Sequence, residues 1–250
     1  MKTYYEDYWS KNAEWSPSAG GLTPTEKKLL LPLLKPKTVF LDYGCGDGRR
    51  YGKTLTELGV DYRGFDVSSK AVEDARADGV NAALLINGFQ TSLADESCEV
   101  AACFEVLEHL MEPDLAVREI LRCLAPDGTG IFSVPNAANW FQRMEFALTG
   151  FWNPGGSPLT GRRSPWRDPH IRFFSPTVLR RLLLESGFAE VQLRGDPFSL
   201  KNAPYFYRAP KAGKLVDGLS WPLRWLGLVF PSLFSTRIFA AARKTSNSQA

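Results

Sequence analysis

A chain of 250 residues that is 44% hydrophobic and 23% charged suits one large α/β domain with insertions, and excludes disordered, collagenous and coiled-coil classes. Its net charge of +3 hides a split: residues 1–150 carry 15 Lys and Arg against 22 Asp and Glu (−7), and residues 151–250 carry 15 against 5 (+10). The four cysteines (Cys45, Cys98, Cys103, Cys123) form no C-x-x-C pair and there are two histidines, which argues against a Cys/His zinc site and for reduced thiols in a cytoplasmic protein.

Residues 1–37 read as an N-terminal cap whose polar, aromatic start is no signal peptide. Thr23-Pro24-Thr25-Glu26 is a capping box that opens a helix toward Leu34, with Pro32 bending or ending it. Strand one spans 38–42 and is followed by a helix over 49–58 that Gly59 stops. Strand two spans 62–65. Ser68 or Ser69 caps the next helix, which Gly79 stops. Strand three covers 82–86. Strand four, 100–104, is continuously apolar, as a strand buried on both faces should be. Helical spacing returns over 113–124, and Pro126-Asp127-Gly128 turns the chain into strand five at 130–134. Residues 137–170 hold too many Gly and Pro for a long element and read as a lid insertion. Ser175-Pro176 opens another helix, strand six covers 190–193 and strand seven 237–242. The core therefore runs over 38–136 and 171–196, a second insertion over 197–236, and the last strand and a polar tail over 237–250. Repeated βα units predict a seven-stranded, mostly parallel sheet with helices on both faces.

Two sites on this scheme carry chemistry. The run Val39 to Gly48 is a buried strand that reaches Asp42 and breaks into Gly44, Gly46 and Gly48, a turn that lets a ligand lie against backbone. Arg49 stands where a dinucleotide-binding G-x-G-x-x-G has its third glycine, which argues against an NAD-dependent oxidoreductase. Asp66 lies 20 residues past Gly46, at the end of the next strand, where a carboxylate accepts ribose hydroxyls.

G-x-G-x-G behind an acid resembles motif I of the class I S-adenosylmethionine (SAM) methyltransferases. The resemblance extends through Cys103-Phe104-Glu105-Val106-Leu107-Glu108-His109-Leu110, Leu124-Ala125-Pro126-Asp127-Gly128 and His170-Ile171-Arg172-Phe173-Phe174-Ser175, which are similar to runs of the ubiquinone-type small-molecule branch. Cys98 and Glu99 depart from that pattern ahead of strand four. The resemblance implies a Rossmann-like fold, SAM as cofactor, and methyl transfer to a small or lipid-like acceptor, preferably at oxygen. A SAM-binding regulator without chemistry is the alternative reading. The resemblance also implies roles. Asp42, Gly44, Cys45 and Gly46 line the methionine end, Asp66 takes the ribose, and Val67 packs on the adenine. Asn87, with Gly88 and Phe89, reads the adenine edge, and Phe104 and Glu105 face the sulfonium.

If oxygen is the acceptor, a base is needed, and His109 is the candidate; the competing reading is a capping or packing histidine. In the branch it resembles, a run like Glu105-x-x-Glu108-His109 is associated with a divalent ion, but a solvated helix residue is the preferred reading of Glu108. His170, Arg172, Trp152 and Arg167 are the candidate acceptor contacts from the lid. The basic second half suits an anionic partner or a solvated face, and no nucleic acid is expected. The aromatic segment 197–236 is too interrupted to cross a bilayer, which needs about 20 apolar residues. It fits a peripheral membrane contact, a pocket cover, a dimer face or a helix packed on the sheet.

Overall fold

The sheet has the strand order β3-β2-β1-β4-β5-β7-β6. In this computed structural model, residues 2–11, 21–152, 168–198, 216, 218 and 220–246 are described. The strands are β1 (Val39–Tyr43), β2 (Asp61–Asp66), β3 (Ala82–Leu84), β4 (Cys98–Phe104), β5 (Leu124–Pro135), β6 (Glu190–Gly195) and β7 (Arg237–Arg243). Those from β3 to β5 pair in parallel, and β7 enters antiparallel between β5 and β6. The chain order reverses between β1 and β4, which opens a crevice beyond the carboxyl ends of these two strands.

Side-chain alternation on β1 explains the two layers. Leu41 and Tyr43 point into a core shared with helix α5 (Pro113–Cys123) through Val117 and Ile120, and with α7 (Pro176–Glu185) through Leu179 and Leu183. Phe40 points the other way, into a core with α2 (Pro24–Leu30), α3 (Gly52–Glu57) and α4 (Ser69–Ala77) through Leu30, Leu55 and Val72. Strand period two thus supplies both faces at once, and each fully buried Leu or Phe contributes roughly 1.5–3 kcal/mol. All four cysteines are buried free thiols.

The predicted elements are present, with four differences. Helix α1 (Lys2–Lys11) was not foreseen; its Tyr5, Tyr8 and Trp9 fall at helical spacing. Helix α6 (Trp140–Thr149) occupies ground read as lid loop, because the first glycine there is Gly150, which ends the helix at φ 66°. Strand β5 begins at Leu124, since the chain through Pro126-Asp127-Gly128 stays beside β4 as an irregularity, with Asp127 at φ 64°, and does not leave the sheet as a turn. Strand β3 stops at Leu84 because Ile86 pairs with Gln90 in a tight turn. In the second insertion, α8 (Trp225–Val229) and α9 (Pro231–Phe234) are short helices.

Candidate active site

Past β1 the backbone needs conformations that only glycine adopts cheaply. Gly44 and Gly46 sit at φ 82° and 56°. A Cβ on Gly44 would lie 2.3 Å from Val106 Cγ2, and one on Gly46 would lie 2.7 Å from the Trp9 ring. The loop folds over the end of β2, with the amides of Gly44 and Cys45 donating to the Phe65 carbonyl at 2.7 and 3.1 Å. Gly46 N–H donates to Asp66 Oδ2 and Ser68 N–H to Asp66 Oδ1, both at 2.9 Å. Burial raises the Asp66 pKa, opposed by these backbone donors. Each oxygen keeps a further lone pair for a ligand hydroxyl.

These residues line a cavity of about 650 Å³ that runs across the tips of β2, β1 and β4, within the range of small-ligand pockets. Helix α1 forms its roof through Tyr4, Tyr5, Tyr8 and Trp9. Glu6 holds that roof down: its carboxylate accepts from Ser69 N–H at 2.8 Å, Lys70 N–H at 3.2 Å and the Ser68 hydroxyl at 3.0 Å, at the start of α4. The Ser69 amide leads the causes that lower the Glu6 pKa to about 2.

Along the β1 wall, Asp42 accepts from Tyr51 Oη at 2.7 Å and Tyr62 Oη at 2.5 Å. Burial lifts its pKa to about 6 against those two hydroxyls. Arg50 pairs with the fully buried Glu26 and lies 5.4 Å above the Phe104 ring. Arg237 lies 3.4 Å from Asp196 and 3.7 Å from Glu26. Glu105, at φ 57°, accepts from Ser133 Oγ at 2.9 Å; burial raises its pKa and the charge of Arg237 opposes the rise.

Beyond the β4 tip, a 3₁₀ turn over Leu107–His109 presents Glu108 and His109. The Ile171 and Arg172 amides donate to the Glu108 carbonyl at 2.9 and 3.0 Å, which pins His170 alongside. The imidazoles of His109 and His170 lie 4.7 Å apart, centroid to centroid. One donor atom each from Glu108, His109 and His170 falls within 4.8 Å of the others, so the three could hold a cation. Glu108 is 2% exposed and burial pushes its pKa well up, so it is no solvated helix residue. Glu105 is not one of the three; its Oε1 accepts from Ser133, and its charge adds to burial in raising the Glu108 pKa.

The cavity brings together most of the residues singled out in the sequence. Asp42, Gly44, Cys45 and Gly46 line it from β1, and Asp66, Val67 and Gly88 from the β2–β3 side. Phe104, Glu105, His109 and His170 line the rest. Four stand elsewhere. Asn87 is the exposed tip of the Ile86–Gln90 turn at φ 52°, and Phe89 meets the site through its carbonyl, which accepts from Tyr43 Oη at 2.8 Å. The Arg172 guanidinium donates to the carbonyls of Met111 and Ile171 at 2.5 and 3.1 Å. Trp152 meets Phe146 and Phe173 edge-on, away from the cavity. Arg167 lies outside the described residues. Sequence reading missed the α1 roof, Arg50, Tyr51 and Arg237; the Tyr5, Tyr8, Trp9 spacing was the one available signal.

A family model described as a methyltransferase domain matches residues 21–193. A ubiquinone biosynthesis O-methyltransferase of Paraburkholderia phymatum is 32% identical over 201 residues, 77% of this chain and 82% of that protein. Its namesake from Vibrio campbellii is 24% identical over 183 residues, 71% of this chain and 72% of that one. A SAM-dependent methyltransferase of Thermotoga maritima shares the fold with a TM-score of 0.63 at 18% identity, over 98% of this chain and all of that one. With its glycine turn, its strand-end carboxylate and its 3-2-1-4-5-7-6 sheet, the chain belongs to the class I SAM-dependent methyltransferases, enzymes that use SAM and release S-adenosylhomocysteine.

Proposed function

We propose that this enzyme methylates an oxygen of a small, lipid-like acceptor such as a phenol. The observation that carries this reading is the pair of imidazoles beside a buried carboxylate, set one strand away from the cofactor carboxylates. Methyl transfer to nitrogen or to a thiolate needs less help with a proton, whereas a hydroxyl must lose one. The O-methyltransferase names of the relatives support the same choice.

When bound, SAM supplies a methyl group on a sulfonium, whose departure needs no acid. In this reading Asp66 accepts the ribose hydroxyls and Val67 packs on the adenine, with Leu85 and Gly88 at its edge in place of Asn87. The Gly44–Gly46 backbone lies along the methionine portion. Asp42, fixed by two tyrosine hydroxyls, meets its ammonium, and Arg50 meets its carboxylate. Phe104 and Glu105 lie beside the sulfonium. The aromatic roof excludes water and holds the reactants in line. His109 or His170 takes the acceptor proton. Arg50 and Arg237 are each met by carboxylates, so the wall is close to neutral, which favours an alcohol or phenol over a polyanion.

A lipid-like acceptor would be met at a membrane surface. Trp221, Trp225, Leu228, Val229 and Phe230 are more than half exposed. Residues 197–236 hold five Lys and Arg against Asp217 alone. No described helix is long and apolar enough to cross a membrane, so contact would be interfacial. Flotation with phosphatidylglycerol vesicles tests this; protein left wholly at the bottom of the gradient counts against it.

Calorimetry with SAM, S-adenosylhomocysteine and NADH, followed by labelled methyl transfer to phenols, catechols and prenylated phenols, tests the whole reading. We expect binding of the first two ligands and an O-methyl product. Product formed only on nitrogen or carbon would overturn the choice of oxygen.

A further inference from the structure

We infer that the Tyr5 hydroxyl, on the roof helix α1, donates a hydrogen bond to the acceptor oxygen and makes the site select phenol-type acceptors over ring compounds that lack that oxygen. The inference deepens the oxygen-methylation reading and rests on it, whereas SAM binding does not depend on it.

The roof helix is laid along the cavity in one direction. Trp9 lies over the glycine turn, so close that a Cβ on Gly46 would stand 2.7 Å from its ring. Tyr5, one turn earlier, meets the His109 ring edge-on with centroids 5.8 Å apart. Residues i and i+4 share a helix face about 6 Å apart along the axis, so α1 carries one ring to the cofactor turn and another to the acceptor end. Tyr8 stands edge-on to both, 6.5 Å from Tyr5 and 5.5 Å from Trp9. Glu6 sets the rotation of the helix, since its carboxylate takes four hydrogen bonds from Ser68, Ser69 and Lys70. The ring beside that anchor is held in register with the cavity.

The hydroxyl is what the packing of the roof leaves unexplained. It is buried and has no hydrogen-bond partner among the described residues. It does not bond the nearby Glu108 carboxyl, whose two oxygens also lack a hydrogen-bond partner there. A buried hydroxyl without a partner is costly, and phenylalanine would supply the same ring without that cost. Tyr5 and His109 line the same cavity. With the roof down the hydroxyl is out of reach of water, so a group carried in beneath the helix is what satisfies it. An ordinary phenol, with a pKa of about 10, is an O–H at neutral pH and can donate. In the transfer the acceptor O–H gives its proton to an imidazole, an electron pair of its oxygen forms the new bond to the methyl group, and the pair of the broken sulfur–methyl bond returns to sulfur. Tyr5 keeps its own proton throughout. Its O–H turns the acceptor oxygen toward the methyl group and steadies the negative charge left once the acceptor proton has gone.

The test compares wild type with Tyr5→Phe, which keeps the ring. Both are loaded with S-adenosylhomocysteine and titrated by calorimetry with para-nitrophenol and with nitrobenzene. We expect Tyr5→Phe to weaken para-nitrophenol by about 10–100-fold and nitrobenzene by less than about threefold, with SAM affinity within about twofold. The visible absorption of the bound nitrophenolate anion should fall in the variant at equal pH and saturation, because the anion has lost its donor. The variant should melt no lower than wild type, since it removes a buried group without a partner. Unchanged para-nitrophenol affinity, or an equal loss for both probes, overturns the inference and leaves oxygen methylation standing. A variant that melts well below wild type overturns it as well, because the hydroxyl would then serve the fold. Wild type that binds SAM without preferring para-nitrophenol to nitrobenzene does the same. Methyl product on nitrogen or carbon alone is the separate outcome that removes the oxygen reading, and this inference falls with it.

Discussion

The two ends of the cavity are built by opposite means. At the Asp66 end a single βαβ unit does everything: the strand, the glycine turn, the helix and the next strand lie between residues 39 and 66, and their contacts are mostly backbone to backbone or carboxylate to backbone. At the His170 end, Glu108 and His109 meet His170 from about sixty residues downstream, under a helix from the start of the chain. The first end is rigid because little chain must be closed to form it. The second depends on a long-range closure held by two amides on one carbonyl. The ends should therefore respond differently to mutation.

The largest effect is expected from Gly44→Ala. The new Cβ would press on Val106 in a left-handed backbone, and overpacking with strain should cost about 2–4 kcal/mol of stability. Urea unfolding measures it, and an unmoved midpoint would show that Val106 gives way. Asp66→Ala comes next. It should weaken SAM by about 1.5–3 kcal/mol through lost charged hydrogen bonds. Calorimetry with SAM measures it, and an unchanged affinity would take the ribose role from Asp66.

A smaller, pH-dependent effect belongs to Asp42. Its pKa is raised from 3.8 to about 6, so SAM affinity should climb between pH 5 and 7 as the carboxylate ionises to face the ammonium. Stability runs the other way. The folded protein keeps this proton up to about pH 6 while the unfolded chain loses it near 3.8, so the residue's contribution falls as pH rises across that window. Melting curves of wild type and Asp42→Asn at pH 4 and 7 would expose the slope, and parallel curves would remove it. The smallest effect is expected at Glu6→Gln. The roof should open more often, seen as faster hydrogen exchange in α1 and a SAM off-rate a few-fold higher. The Glu6 pKa is lowered to about 2, so its grip on α4 is complete above 4.5 and fades as pH falls toward 2. Exchange in α1 indifferent to this substitution would mean that the aromatic contacts alone hold the helix.

Much of the fold was legible beforehand because its signals are local. An apolar run ending in an acid and three glycines has few ways to fold, and Ser-Pro or Thr-Pro-x-Glu marks a helix start by its own hydrogen bonds. Helix α6 is hard to read from the sequence because the glycines and prolines from Gly150 onward mask a breaker-free stretch ahead of them. Asn87 looked like an adenine reader by position along the chain, but a two-sided turn between Ile86 and Gln90 aims it outward and leaves Gly88 at the cavity.

Sequence alone determined the sheet's βα rhythm, the glycine turn and the carboxylates Asp42 and Asp66, since these follow from strand period, glycine's freedom and short-range capping. Tertiary structure alone decided that Glu108 is buried, that Glu105 turns to Ser133 while His170 joins His109, that Arg172 serves the backbone, and that α1 covers the cavity. Those outcomes depend on which distant surfaces meet, and the interval between two residues along a chain carries no information about that once it exceeds a few turns of helix.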